Sequence, residues 1–208
     1  MSLLLALVFF FMPNQSPVPV EQNGYVEVEA EHFIDQTNNT ERTWYVIDGP
    51  SSGHQADPDS LEYQTASSGK FVEILPDTRV THNDELIHGT NFSNKPGLSV
   101  LKYKVRIQNP GKYYVWVRAY STGTEDNGIH VGIDGEWPES GQRMQWCDGK
   151  NRWTWESKQR TEENHCGEPR LIFLEIDEPG IHTIMFSMRE DGFAFDKFAL
   201  SKKYQKPE

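Results

Sequence analysis

Two acidic pairs in this chain, Glu125-Asp126 and Glu190-Asp191, stand close to arginines and aromatic rings. Arg118, Tyr120 and Asn127 surround the first pair, Arg189 precedes the second, and Trp146 and Trp153 lie between the two. Such a set suits a sugar, because the C–H face of a pyranose stacks on a ring while carboxylates, amides and guanidiniums bridge its hydroxyls. Two carboxylates could also act on a glycosidic bond if they faced each other at roughly 5 to 9 Å. Neither a Gly-x-Ser-x-Gly elbow nor a His-Glu-x-x-His metal motif occurs. Each residue also has a plainer use: the tryptophans can fill a core, the carboxylates can sit solvated in turns, and the arginines can simply neutralise them.

For these residues to meet, strands must carry them to one end of the molecule. Tyr113, Val115, Val117 and Ala119 alternate with Tyr114, Trp116, Arg118 and Tyr120, the period of two of a strand with unlike faces. Ser121 to Asn127 breaks the pattern as a polar loop, Ile129, Val131 and Ile133 resume it, and Asp134-Gly135 supplies a tight turn. Further strands are expected at 25–33, 44–47, 70–75, 99–107, 143–146, 152–156, 171–176, 181–188 and 193–200, with hairpin turns at 148–151 and 177–180. Arg79 to Gly97 is a long connection poor in apolar residues, of the kind that packs as a functional or covering loop. Many short strands with regular turns and little helical period predict an all-β fold, an antiparallel β-sandwich or jelly roll. Strand direction then puts the loops 121–127, 147–151 and 189–192 at one end, with Cys147 and Cys166 beside them.

The chain has 208 residues, enough for one well-buried domain. Its net charge of −11 argues against nucleic acid as a partner and leans against a heavily sulfated ligand, although Arg118, Arg143, Lys150, Arg152 and Arg189 could form a local basic patch. Met1 to Met12 is an uninterrupted apolar run, shorter than the roughly 20 residues that span a bilayer and similar to the core of a secretory signal, but without a preceding Lys or Arg. Residues 1–24 are therefore read as a signal-like segment and linker, 25–202 as the sandwich and 203–208 as a charged tail. Once the signal is removed, no membrane association is expected. Export would let Cys147 and Cys166 pair, the alternative being two separate buried thiols. Glu27, Glu29 and Glu31 recur at period two along the first strand, an arrangement stable at an exposed edge or where a cation collects the charges.

Val28-Glu29-Ala30-Glu31-His32-Phe33, Asp134-Gly135 and the last strand, Asp191-Gly192-Phe193-Ala194-Phe195-Asp196-Lys197-Phe198-Ala199-Leu200, resemble carbohydrate-binding modules of families 6 and 35. They are similar as well to the C-terminal β-sandwich of glycoside hydrolase family 115. The resemblance implies a galactose-binding-like sandwich with a structural calcium ion (Ca2+) at the positions of Glu29, Glu31 and Asp196. It also implies a ligand site in the loops at one end, where Arg189 to Gly192 replaces an asparagine common in the family. The expectation is a secreted, periplasmic or cell-surface monomer that binds a plant or algal cell-wall polysaccharide without cutting it, working beside a glycan-degrading enzyme. The alternatives are an accessory domain lending a carboxylate to a hydrolase or lyase, and a protein-adhesion domain.

Overall fold

The computed structural model describes residues 17–38, 41–49, 57 and 65–208, and in it two antiparallel sheets pack face to face. The first sheet is built on β6 (Gly111–Tyr120) and β14 (Ala194–Ser201). On the far side of β14 lie β1 (Tyr25–Glu29) and β4 (Phe71–Leu75), the latter followed by β3 (Thr43–Ile47). On the far side of β6 lie β12 (Phe173–Ile176) and β9 (Thr154–Glu156). The second sheet runs β11 (Glu168–Pro169), β10 (Lys158–Gln159), β8 (Met144–Gln145), β7 (Gly128–Ile133), β13 (Gly180–Met188), β5 (Val100–Ile107) and β2 (Asp35–Thr37).

The alternation in β6 accounts for the core. Tyr113, Val115, Val117 and Ala119 are buried with Tyr103, Ile184, Phe186 and Phe198 in one apolar cluster between the sheets. Tyr103 meets Phe198 edge-on at 5.0 Å, the arrangement that ring quadrupoles favour. The polar ends of large buried rings are satisfied: Tyr103 donates to the Ala30 carbonyl at 2.7 Å and the Trp44 indole to the Ser99 carbonyl at 2.8 Å. Outward-facing Trp116 and Tyr120 are also buried, because Tyr204 covers the first and Trp153 packs on the second.

Two expected hairpins are crossovers. β8 pairs with β7 but β9 pairs with β6, and β12 pairs with β6 but β13 pairs with β5 and β7. Turn composition says that the chain reverses; which edge the next strand finds depends on where a ladder is open. Here β12 pairs with Gly111 to Tyr114 and β9 with Val117 to Ala119, so together they complete the far edge of β6. The first strand is shorter than expected, since Ala30–His32 forms one 3₁₀ turn and turns Ala30 into the core. Asp134 and Gly135 make the expected tight turn with both φ angles positive, 50° and 92°.

Residues that flank the sandwich on both sides are hydrogen-bonded to it. Buried Glu21 accepts the backbone N–H groups of Gln108 and Asn109 at 3.0 and 2.9 Å, and Tyr204 donates to the Ser157 carbonyl at 3.0 Å. The apolar run Met1 to Met12 lies outside the described residues.

Candidate functional site

The loops 121–127, 147–151 and 189–192 meet at one end of the sandwich. The Asn127 N–H donates to the Glu190 carboxylate at 2.9 Å, and the Asn151 N–H donates to the Ser121 carbonyl at 2.8 Å. Two further segments join them. The 79–97 connection is bonded along the last loop, with the Ser93 N–H on the Arg189 carbonyl at 2.7 Å. The 160–167 turn is held by a Cys147–Cys166 disulfide with a Cα separation of 5.4 Å. Between these walls opens a cleft of about 820 Å³, lined by Arg79, Glu125, Arg143, Arg160, Arg189 and Glu190 among others. That volume suits an oligosaccharide-sized ligand.

The cleft's side chains hold one another in place. Arg189 is buried over the Phe92 ring at 5.0 Å and pairs with Glu190. Gly128 makes room for it: a Cβ there would lie 2.6 Å from Arg189 Nη1, so any larger residue at the start of β7 displaces the guanidinium. Glu125 pairs with Arg79, accepts the Thr124 hydroxyl at 2.8 Å and has His82 at 3.5 Å. Arg143 pairs with Glu139. Arg160 follows β10 directly, its N–H on the Arg143 carbonyl at 2.8 Å, and makes no side-chain ion pair among the described residues. Burial, followed by the nearby Arg189 charge, pulls its pKa below the ordinary arginine value. His165 is lowered in the same way, by burial and then by Arg160 and Arg189.

Of the ten ligand residues expected from sequence, Glu125, Arg189 and Glu190 line the cleft. Four others build the loops instead. Asp126 accepts the Ser121 hydroxyl at 2.8 Å and the Thr122 and Gly123 N–H groups at 2.7 and 3.1 Å. Asn127 accepts the Gln145 amide, and Asp191 is buried against Arg42 at 2.8 Å with the Thr78 N–H at 2.9 Å. Trp146 lies in the main core, edge-on to Phe193 at 5.2 Å. Tyr120, Trp153 and Arg118 belong to the outer face of the first sheet, where the Arg118 guanidinium lies 5.7 Å from the Trp153 ring and pairs with Asp196. Sequence reasoning passed over Arg79, Phe92 and Arg160; the length of the 79–97 connection signalled the first two, and nothing local signalled the third.

Glu29, Glu31 and Asp196 gather around Ser67 and Ser68. Ser67 donates its hydroxyl to Glu29 at 2.8 Å and its N–H to Asp196 at 2.8 Å, while Ser68 donates to Glu31 at 2.6 Å. Asp196 is the extra residue of a bulge between Phe195 and Lys197, and burial pushes its carboxyl up to about 6 against the pull of Arg118. Among the described residues no three acidic, His or Cys side chains close into a metal cluster. Glu29 Oε2 and Glu31 Oε2 are nonetheless buried without a hydrogen-bond partner, a cost that a hard cation relieves. The donor chemistry therefore fits calcium.

The family model described as the glycosyl hydrolase family 115 C-terminal domain matches residues 19–207. The chain belongs to that family. An uncharacterized protein of Formosa agariphila, P23, is 56% identical over 192 residues, which is 91% of this chain and 46% of the relative, so the chain spans about half of that protein's length. Among solved structures, a family 35 carbohydrate-binding module from Clostridium thermocellum is similar at 13% identity and a TM-score of 0.47, over 85% of this chain and 96% of that one. The isomalto-dextranase of Arthrobacter globiformis T6, complexed with panose, is similar at 8% identity and a TM-score of 0.51, over 86% of this chain and 24% of that one. The latter likeness concerns the fold alone. The family 115 C-terminal domain is thus a glycosyl-hydrolase-associated β-sandwich carrying one disulfide.

Proposed function

We propose that this family 115 C-terminal domain binds a plant or algal cell-wall polysaccharide in the cleft bounded by 79–97, 121–127, 160–167 and 189–192, and does not cut it. The observation that carries this reading is the preorganised polar lining. Glu125 and Glu190 are each tied to an arginine, so they can accept sugar hydroxyls without first being ordered. Membership of a glycosyl hydrolase family makes a catalytic unit the natural partner, whether on the same chain or another. Secretion fits the disulfide. A calcium ion held by Glu29, Glu31 and Asp196 would be structural: it would neutralise the first strand's carboxylates and fasten β1 to β14.

Affinity electrophoresis through gels containing cell-wall polysaccharides, with a reducing-end assay on the same mixtures, tests the reading. Retardation without new ends is expected, reduced about tenfold in affinity by Glu190→Gln. New ends that vanish in Glu190→Gln would establish an enzyme instead, and no retardation by any glycan would remove the binding function.

A further inference from the structure

A sugar has apolar C–H faces as well as hydroxyls, and the rings expected to meet those faces lie away from the cleft. Trp146 is in the core, and Tyr120 and Trp153 pack together on the outer face of the first sheet. Among the described residues that line the cleft, Leu86 and Phe92 alone have wholly apolar side chains. Phe92 is 9% exposed and lies under the Arg189 guanidinium at 5.0 Å, so its ring is already covered. Leu86 is 40% exposed. The cleft's open apolar surface is therefore one leucine.

That leucine stands on an arm, residues 81–89, in which every residue is exposed. With no burial of its own to order it, such a segment needs hydrogen bonds to keep a fixed place. Asn91, 3% exposed, provides them from the arm's base. Its Oδ1 accepts the Ile87 N–H at 2.7 Å and its Nδ2 donates to the Glu85 carbonyl at 2.9 Å, so the two bonds bracket Leu86. The Thr90 and Asn91 N–H groups close the turn on the Ile87 carbonyl, each at 3.1 Å. The Asn91 carbonyl in turn accepts the Asp191 N–H at 3.1 Å, which fastens the arm's base to the 189–192 loop across the cleft floor from Glu125. An amide offers the donor and the acceptor together; an aspartate of the same length lacks the donor.

We infer that Leu86 is the apolar contact for the ligand in this cleft and that Asn91 is the positioning residue that holds it there. Contact with the ligand removes an exposed aliphatic side chain from water, and the fixed arm lowers the entropy lost when that contact forms. Ile87 supplies the contrast: it is 43% exposed on the same arm, yet its side chain does not line the cleft. The inference rests on the glycan-binding reading of the cleft and adds the residues that supply its apolar half.

The test is affinity electrophoresis of the whole chain through xylan, polygalacturonate, alginate and carrageenan gels, with the variants compared in the gel that retards the native protein most. Leu86→Ser should weaken retardation about tenfold, Leu86→Met should keep most of it, and Ile87→Ser should leave it unchanged. All three replace exposed side chains, so equal melting temperatures show that the fold is intact. Asn91→Ala should weaken retardation in the native background and add nothing in the Leu86→Ser background, because it acts through that leucine; a change that merely loosened the fold would add to the loss. If Asn91→Ala fails to fold, the three arm variants decide the role of Leu86 by themselves. Native retardation in Leu86→Ser, or an equal loss in Leu86→Ser and Ile87→Ser, would overturn the inference while glycan binding stands. An additive effect of Asn91→Ala would overturn its positioning role, and an absence of retardation in every gel would remove the glycan-binding reading and this inference with it.

Discussion

His130 connects the second sheet to the cleft through both of its ring nitrogens. Nε2 lies 3.1 Å from the Ser93 carbonyl and Nδ1 lies 3.1 Å from the Arg143 N–H, so the neutral ring donates from one nitrogen and accepts at the other. Burial, with the charges of Arg189 and Arg143 acting against the Ser93 bond, pulls its pKa down to about 4. An unfolded histidine titrates near 6.5, so between that pH and 4 the unfolded chain binds the extra proton and stability falls as pH falls. The whole passage is worth roughly 3 kcal/mol. Melting temperatures from pH 7 to 4 should therefore decline more steeply in the native protein than in His130→Gln; parallel curves would refute this role. Single residues were the least legible level of the sequence. Asp126 and Glu125 are adjacent carboxylates in one loop, yet one caps its own backbone and the other faces the cleft. Their difference is set by Arg79, 46 positions before Glu125, and by the N–H groups that the loop's own curvature turns inward.

At the level of elements, alternation located most strands to within a residue or two, because burial of one face imposes the period directly. It could not assign edges. β10 and β11 are two residues each and carry no readable period, yet they bring the Arg160 to His165 turn to the cleft. That turn depends on the Cys147–Cys166 bond, which ties it to the crossover between β8 and β9. Replacing both cysteines with serine should cost about 3 kcal/mol, the loop-closure entropy of a ring of this size. It should also weaken glycan binding more than thermal destabilisation explains, because Arg160 loses its fixed place. Binding measured well below the melting temperature separates the two effects: affinity equal to that of the native protein there would show that the short strands alone position the turn.

At the scale of the whole sandwich, β1 lies along β14 and joins the first strand to the last. Among the described residues β1 pairs with no strand but β14, and its Glu27 and Glu29 have Lys197 as their one cation partner, at 2.7 and 4.0 Å. Across the seam, Asp196 is buried and shares Ser67 with Glu29. Calcium supplied to these carboxylates would bind the folded chain and not the unfolded one, since the first strand and the last meet only on folding. At a hundredfold excess over its dissociation constant such an ion adds about 2.7 kcal/mol. For a domain of this size that corresponds to a melting temperature roughly 5 to 10 °C higher with calcium than with a chelator. Glu29→Gln combined with Glu31→Gln removes the two unpartnered carboxylate oxygens while keeping the side-chain volume. In that variant the chelator should have no effect, and its melting temperature without calcium should equal or exceed that of the native protein without calcium, because the like-charge repulsion has gone. A chelator effect that survives in the double variant would place the cation elsewhere and leave Ser67, Ser68, Lys197 and Arg118 to compensate the seam's carboxylates.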